Sequence, residues 1–274
     1  MRNKRPLLIG NIISKVFFPF FYVMIQNITS SENKIIKLVK HLAKKSERER
    51  NGLFVAEGAR IVKDALNDGH IEFIVATSPC DDFAGDQYIV SEQFFGKLSD
   101  TKTPQGIMAV CRMPQWDAEV LKSARLVLVC ENTSDPGNLG TMLRTAEAAG
   151  ADAVILAGNN VDLYNPKTVR STMGSVFRVP VFTGDEYIDI LKSLGFTLAV
   201  TCLDGAKSLY DEAASGNKIA LAIGNEAHGI TKALMEKADL RIKIPMSGKV
   251  ESLNAAIAAS VCLYEYRRRF DLEN

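Results

Sequence analysis

Apolar residues recur in two rhythms along this chain. From Leu126 onward, short apolar runs at Leu126–Cys130, Ala153–Leu156, Val179–Phe182, Thr197–Thr201, Ile219–Ile223 and Leu240–Ile244 alternate with helical patterns. Those patterns lie at Leu139–Ala149, about Pro166–Met173, Tyr187–Leu194 and Ser252–Arg268. A continuous apolar run of strand length predicts a parallel strand covered on both faces. Earlier in the chain, Ile35, Leu38, Val39 and Leu42 mark one face of an amphipathic helix that Ser31 or Asn33 can cap. Strands are then predicted at Leu53–Ala56, Phe73–Ala76, Tyr88–Val90 and Gly106–Cys111, with helices at Gly58–Asn67 and Ser91–Leu98. The pattern predicts a small α/β unit over residues 27–112, a linker over 113–124 and a larger α/β unit over 125–274.

The first residues break this rhythm. Leu7 to Ile25 is mostly apolar and follows Arg2, Lys4 and Arg5, a layout shared by signal peptides and single anchor helices. Asn11, Ser14 and Lys15 interrupt the run, and it has no small-residue cleavage site. Residues 1–26 are therefore read as an extension outside the fold, with Met24 as the natural start, and no stable membrane association is expected.

Composition changes the picture little. The 274 residues are 47% hydrophobic and 24% charged with a net charge of +1, which suits a globular chain and leaves a nucleic-acid partner open. What matters is local. Lys34, Lys37, Lys40, Lys44, Lys45, Arg48 and Arg50 crowd the polar side of the first helix and the turn after it. Such a cluster serves either as a solvated helix face or as a phosphate-binding surface. Five scattered cysteines without a CxxC pair point to reduced thiols and a cytoplasmic protein. Three dispersed histidines give no metal site.

Three segments carry candidate chemistry, each just after a buried strand, where ligands gather in open α/β sheets. The first is Glu131-Asn-Thr-Ser-Asp-Pro-Gly-Asn-Leu-Gly-Thr-Met-Leu-Arg. Its Asp-Pro-Gly-Asn is turn chemistry that puts Asn138 at the mouth of a helix, and Arg144 follows under two turns later. The second is Ala222-Ile-Gly-Asn-Glu-Ala-His-Gly-Ile, whose glycines allow close approach to a ligand and whose Glu226 is either a helix cap or a functional acid. His228 reads as a surface or structural residue. The third, Ile244-Pro-Met-Ser-Gly-Lys-Val-Glu-Ser-Leu-Asn, opens a helix rich in Ala255, Ala256, Ala258, Ala259 and Ser260, which implies very close helix packing.

In order and nearly residue for residue, these segments resemble the three signature motifs of the SpoU/TrmH branch of the SPOUT RNA methyltransferases. Phe54-Val-Ala-Glu-Gly-Ala-Arg and Thr101-Lys-Thr-Pro-Gln-Gly-Ile resemble that family's substrate-binding domain, so the likeness runs from about Ser31 to Arg269. It implies a C-terminal trefoil-knotted parallel sheet domain behind a small α/β RNA-binding domain, and a homodimer formed through the knotted domain. It also implies transfer of a methyl group from S-adenosylmethionine to a ribose 2′-hydroxyl, in 23S ribosomal RNA more than in transfer RNA.

The residue assignments come with the resemblance. It places the cofactor against the backbone of Thr201, Cys202 and Leu203, of Ile223, Gly224 and Asn225, of Ile244 and Met246, and of Ser252 and Leu253. It makes Arg144 the residue that activates or orients the hydroxyl, with Asn138, Glu226 and Asn254 completing a polar cluster around it. RNA is expected at Lys37, Lys40, Lys44, Lys45, Arg48, Arg60, Arg144 and Arg170. A non-catalytic RNA-binding relative is the alternative from another class. A nicotinamide-dependent oxidoreductase fails because no strand is followed by GxGxxG.

Overall fold

The structure is a computed structural model and describes residues 13–18, 21–203, 206–211 and 217–272. The chain divides into two compact units, Met1–Pro114 and Gln115–Asn274.

The first unit runs β1 (Ile13–Phe18), β2 (Phe21–Asn27), α1 (Lys34–His41), α2 (Lys45–Asn51), β3 (Leu53–Glu57) and α3 (Ala59–Asn67). It continues with β4 (Ile71–Ala76), β5 (Gln87–Ile89), α4 (Glu92–Gly96) and β6 (Ile107–Arg112). One mixed sheet has the order β1-β2-β5-β4-β6-β3. Part of the apolar run expected to stand outside the fold thus belongs to it: β1 pairs antiparallel with β2, and β2 pairs parallel with β5. Residues 7–12, 19 and 20 of that run lie outside the described residues. Asn33, one of the two candidate caps, accepts from the Ile35 N–H at 2.8 Å. Ile36, Val39 and Leu42 turn α1 onto a core with Phe73, Val75, Tyr88 and Val110.

The second unit runs α5 (Val120–Ser123), β7 (Leu126–Glu131), α6 (Pro136–Ala148), β8 (Ala153–Ala157), α7 (Pro166–Thr172), β9 (Val181–Thr183), α8 (Glu186–Ser193) and β10 (Thr197–Thr201). After these come β11 (Lys207–Ser208), β12 (Ile219–Ile223), α9 (Lys232–Lys237), β13 (Leu240–Lys243) and α10 (Ala255–Leu272). All seven strands pair in parallel, in the order β11-β13-β10-β12-β7-β8-β9. The stretch read as linker is partly core: Leu121 of α5 and Ala124 are buried with Val127, Val129, Ile188, Leu198, Val200 and Leu234. The opposite sheet face takes α6 and α10, and this double cover explains the continuous apolar strands.

The helices on that face come very close. A Cβ on Gly140 of α6 would stand 2.4 Å from the Ser171 Cβ of α7 and 2.7 Å from the Thr168 carbonyl oxygen. Ala255, Ala256 and Ala259 of α10 are buried, and Ser260 meets Thr145 of α6 hydroxyl to hydroxyl at 3.2 Å. Strand order reverses between β12 and β7, so the loops leaving β7, β10, β12 and β13 converge at one end of the sheet.

Candidate functional site

The ends of β10, β12 and β13, with the entry to α10, enclose a cleft of about 790 Å3 in the second unit, within the range of roughly 300–1,000 Å3 usual for small-molecule sites. Thr201–Leu203, Ile223–Asn225, Ile244, Met246, Ser252 and Leu253, all expected at a cofactor, line it together. Glu226, His228, Glu251, Asn254 and Ala258 line it too. Among the described residues, Pro245–Leu253 makes no hydrogen bond, so its backbone N–H and C=O groups are available to a ligand. Gly224 is forced by packing: a Cβ there would lie 2.3–2.4 Å from the Gly229 carbonyl carbon and oxygen and the Ile230 nitrogen.

Beside the cleft, three distant segments meet. The Asn138 amide Nδ2 donates to Glu226 Oε1 at 2.9 Å, and Asn254 Nδ2 donates to Asn138 Oδ1 at 3.0 Å. Neither the Asn138 nor the Glu226 side chain serves as a helix cap. Asn138 lies inside the first turn of α6, and the cap is Asp135, whose Oδ1 accepts the Asn138 N–H at 2.8 Å. Glu226 caps nothing, since Thr231 is the N-cap of α9. Partial burial pushes the Glu226 carboxyl up, but hydrogen bonds from Asn138, its own backbone and Ser134 outweigh it and leave the group below the usual glutamate range.

Arg144 does not join this chain. It is exposed on α6 and has no hydrogen bond or ion pair among the described residues, so Asn138 and Glu226 do not orient it. His228 is exposed at the cleft rim, and among the described residues only its backbone N–H is engaged, by Asn225 Oδ1 at 3.1 Å. Arg170 is half-buried on α7. In the first unit Lys37, Lys40, Lys44, Lys45 and Arg60 are exposed, Lys37 paired with Glu32 at 2.6 Å. Arg48 corrects the expected phosphate surface: it is 3% exposed, and its Nη1 donates to the carbonyls of Leu42 and Ala43 at 2.7 and 2.8 Å. Its charge closes the end of α1, where orphan carbonyls need donors.

Nothing in the residue pattern signals the struts beneath the second loop. Asn225 Nδ2 donates to the Asn132 carbonyl at 2.8 Å. The Glu131 carboxylate, 5% exposed, accepts from the Thr231 N–H at 2.8 Å and from its hydroxyl at 2.5 Å. Ser134 reaches Glu226 Oε2 from its hydroxyl at 3.0 Å and from its N–H at 3.4 Å. Each contact joins residues about 90 to 100 positions apart, which no local pattern reveals. Among the described residues no helix is long and apolar enough to cross a membrane, and no cluster of His, Cys, Asp or Glu is arranged to hold a metal.

Comparison with known proteins agrees with this geometry. Residues 125–264 match the SpoU rRNA Methylase family, and residues 33–109 match the MRM3-like substrate binding domain. The chain is 41% identical over 250 residues to the 23S rRNA (guanosine(2553)-2′-O)-methyltransferase RlmP of Bacillus subtilis, covering 88% of this chain and 99% of that one. An AdoMet-bound rRNA methyltransferase of Sinorhizobium meliloti superposes with a TM-score of 0.80 at 30% identity, over 89% of this chain and 98% of that one. The SpoU methyltransferase AviRb of Streptomyces viridochromogenes, also with AdoMet, superposes at 0.77 with 26% identity, over 88% and 99%.

Proposed function

The chain belongs to the SpoU rRNA methylase family, and on that footing we propose that it methylates the 2′-oxygen of a guanosine ribose in 23S ribosomal RNA. The observation that carries this reading is the Asn254–Asn138–Glu226 chain of hydrogen bonds at the edge of a cleft built from strand-end backbone. It is a S-adenosylmethionine-dependent RNA methyltransferase. The cleft suits that cofactor. Unpaired backbone groups of Met246 and of Glu251–Leu253 match a nucleoside's donors and acceptors, Leu203, Ile223 and Leu253 offer apolar walls, and the carboxylate of Glu251 suits a cationic tail.

S-adenosylmethionine supplies a methyl group on a positively charged sulfur. The protein's task is to bring a weak nucleophile, the ribose hydroxyl, to the open end of the cleft and hold it there. Glu226 fixes the Asn138 amide with Nδ2 turned toward its carboxylate, leaving Oδ1 facing Asn254 and the cleft. Arg144 offers five N–H donors and no acceptor, so gripping the phosphate next to the target ribose is its simplest task. Lys37, Lys40, Lys44, Lys45 and Arg60 on the first unit, exposed and cationic, are assigned to the RNA backbone.

Three further assignments complete the reading. The second unit carries the trefoil knot that the family likeness implies, a reading supported by β13 lying beside β10 while α10 packs on α6, β12 and β7. Two copies pair through α10, whose Ile257 and Tyr264 leave an apolar face half exposed, and light scattering gives the mass that tests this. The protein acts in the cytoplasm, in keeping with five free thiols.

Methyl-labelled S-adenosylmethionine and unmodified 23S rRNA provide the direct test. Alkali-resistant label at one guanosine is expected. Label on a base nitrogen, or label only in transfer RNA, would overturn the proposal.

A further inference from the structure

We infer that Ser134 is a positioning residue for methyl transfer, acting through the Glu226 carboxylate; the inference rests on the role given to Glu226 above. Glu226 is exposed, and an exposed glutamate ordinarily samples several rotamers. Here both its oxygens are engaged from the first loop. Oε1 accepts from Asn138, and Oε2 accepts from the Ser134 hydroxyl at 3.0 Å and the Ser134 N–H at 3.4 Å. Asn138 alone cannot fix the carboxylate, because its own amide is what the carboxylate must orient. Ser134 supplies the independent reference point, just ahead of the helix that carries Asn138.

The loop bearing Glu226 does not depend on Ser134 for its course. It is tied at one end by Asn225 to the Asn132 carbonyl and at the other by Thr231 to the buried Glu131 carboxylate. A backbone hairpin between Asn225 and Gly229, bonded in both directions at 3.0 and 2.9 Å, closes it. Losing the serine hydroxyl therefore frees a side chain and leaves the loop in place. That separates positioning from folding: turnover falls while the cleft is unchanged.

The test compares Ser134→Ala, Ser134→Thr, Glu226→Gln and the double variant Ser134→Ala/Glu226→Gln in the full-length protein. Ser134→Ala is expected to lower kcat about tenfold, as for a hydrogen bond to a charged group. Its S-adenosylmethionine Kd by calorimetry and its Tm should stay at wild-type values, and Ser134→Thr should restore turnover. In the Glu226→Gln background the alanine should have no further effect. If Glu226→Gln slows transfer and Ser134→Ala does not, or if the two losses simply multiply, the positioning role is wrong. If Glu226→Gln leaves transfer intact, the role of Glu226 falls and this inference falls with it. A lowered Tm or weakened cofactor binding in Ser134→Ala would make the residue structural and overturn the inference.

Discussion

Asn138 and Glu226, separated by 88 positions in sequence, are joined by one hydrogen bond from amide Nδ2 to carboxylate Oε1 at 2.9 Å. Because Asn138 receives Asn254 on its other side, its amide is fixed in one sense, nitrogen toward the acid and oxygen toward the third loop. Asn138→Asp keeps the shape and reverses the donor, setting two carboxylates against each other. A loss of about 100-fold in kcat is expected, with the S-adenosylmethionine Kd little changed. Single-turnover methylation assays with calorimetry measure both.

Arg144 is assigned to RNA because nothing among the described residues occupies its guanidinium. Arg144→Ala should lower methyl transfer by about 100-fold or more while cofactor binding and Tm remain as they were. Arg144→Lys, which keeps the charge and loses the fork, should recover only part of the rate. Undiminished transfer in the alanine variant would remove the residue from the mechanism.

Neighbouring cations of the first unit should respond differently. Arg48→Ala strands the carbonyls of Leu42 and Ala43 and should destabilise the protein by about 1–3 kcal/mol, leaving the salt dependence of RNA binding unchanged. Lys40→Ala and Lys44→Ala should leave the melting temperature alone, and each should reduce the salt slope of binding by about one. Melting curves and filter binding across a salt series separate the two classes.

Gly224→Ala drives a methyl group into the backbone of Gly229 and Ile230. The second loop must shift, at a cost of about 1–3 kcal/mol. Since Gly224 also lines the cleft, the S-adenosylmethionine Kd should rise by at least tenfold, measured by calorimetry.

Acid should unfold the protein through a small set of carboxylates. Glu147 is pushed up by partial burial and then below its ordinary value by hydrogen bonds from Arg178 and Ser175. Glu265 is lowered first by Arg268 and then, against burial, by Arg269. Both therefore bind fewer protons folded than unfolded in the acid range. Their stabilisation is complete above the unfolded glutamate value of about 4.5 and is lost as pH falls through the lower folded values. Urea midpoints should be flat from pH 7 to 5 and then decline; a rise below pH 5 would contradict these shifts.

The sheet of the second unit was legible because burial on both faces writes itself into local composition: Thr197–Thr201 and Ile219–Ile223 are strands with the bounds the pattern predicted. Short elements such as α9 and β11 carry too few residues for any period to emerge. Asp135-Pro-Gly-Asn read as a turn, yet proline suits the first helical position, so α6 begins at Pro136. α10 begins at Ala255, later than Ser252, because Asn254 uses its Oδ1 to accept the Ala256 N–H. The motifs located the cleft but not its struts: Glu131–Thr231 and Ser134–Glu226 exist only once β7 and β12 are neighbours. Arg48 looks like a phosphate contact in the sequence because composition counts a charge and cannot see where it ends.

Pro245–Leu253, with no hydrogen bond of its own among the described residues, hands the completion of its shape to whatever fills the cleft. A methyl donor lodged there is then an ingredient of the architecture as well as a reagent, contributing RT ln(1 + [L]/Kd), about 2.7 kcal/mol at a hundredfold excess. Endurance is thereby expected to follow the supply of methyl donor, the donor-free protein being the faster cleaved in a protease digest.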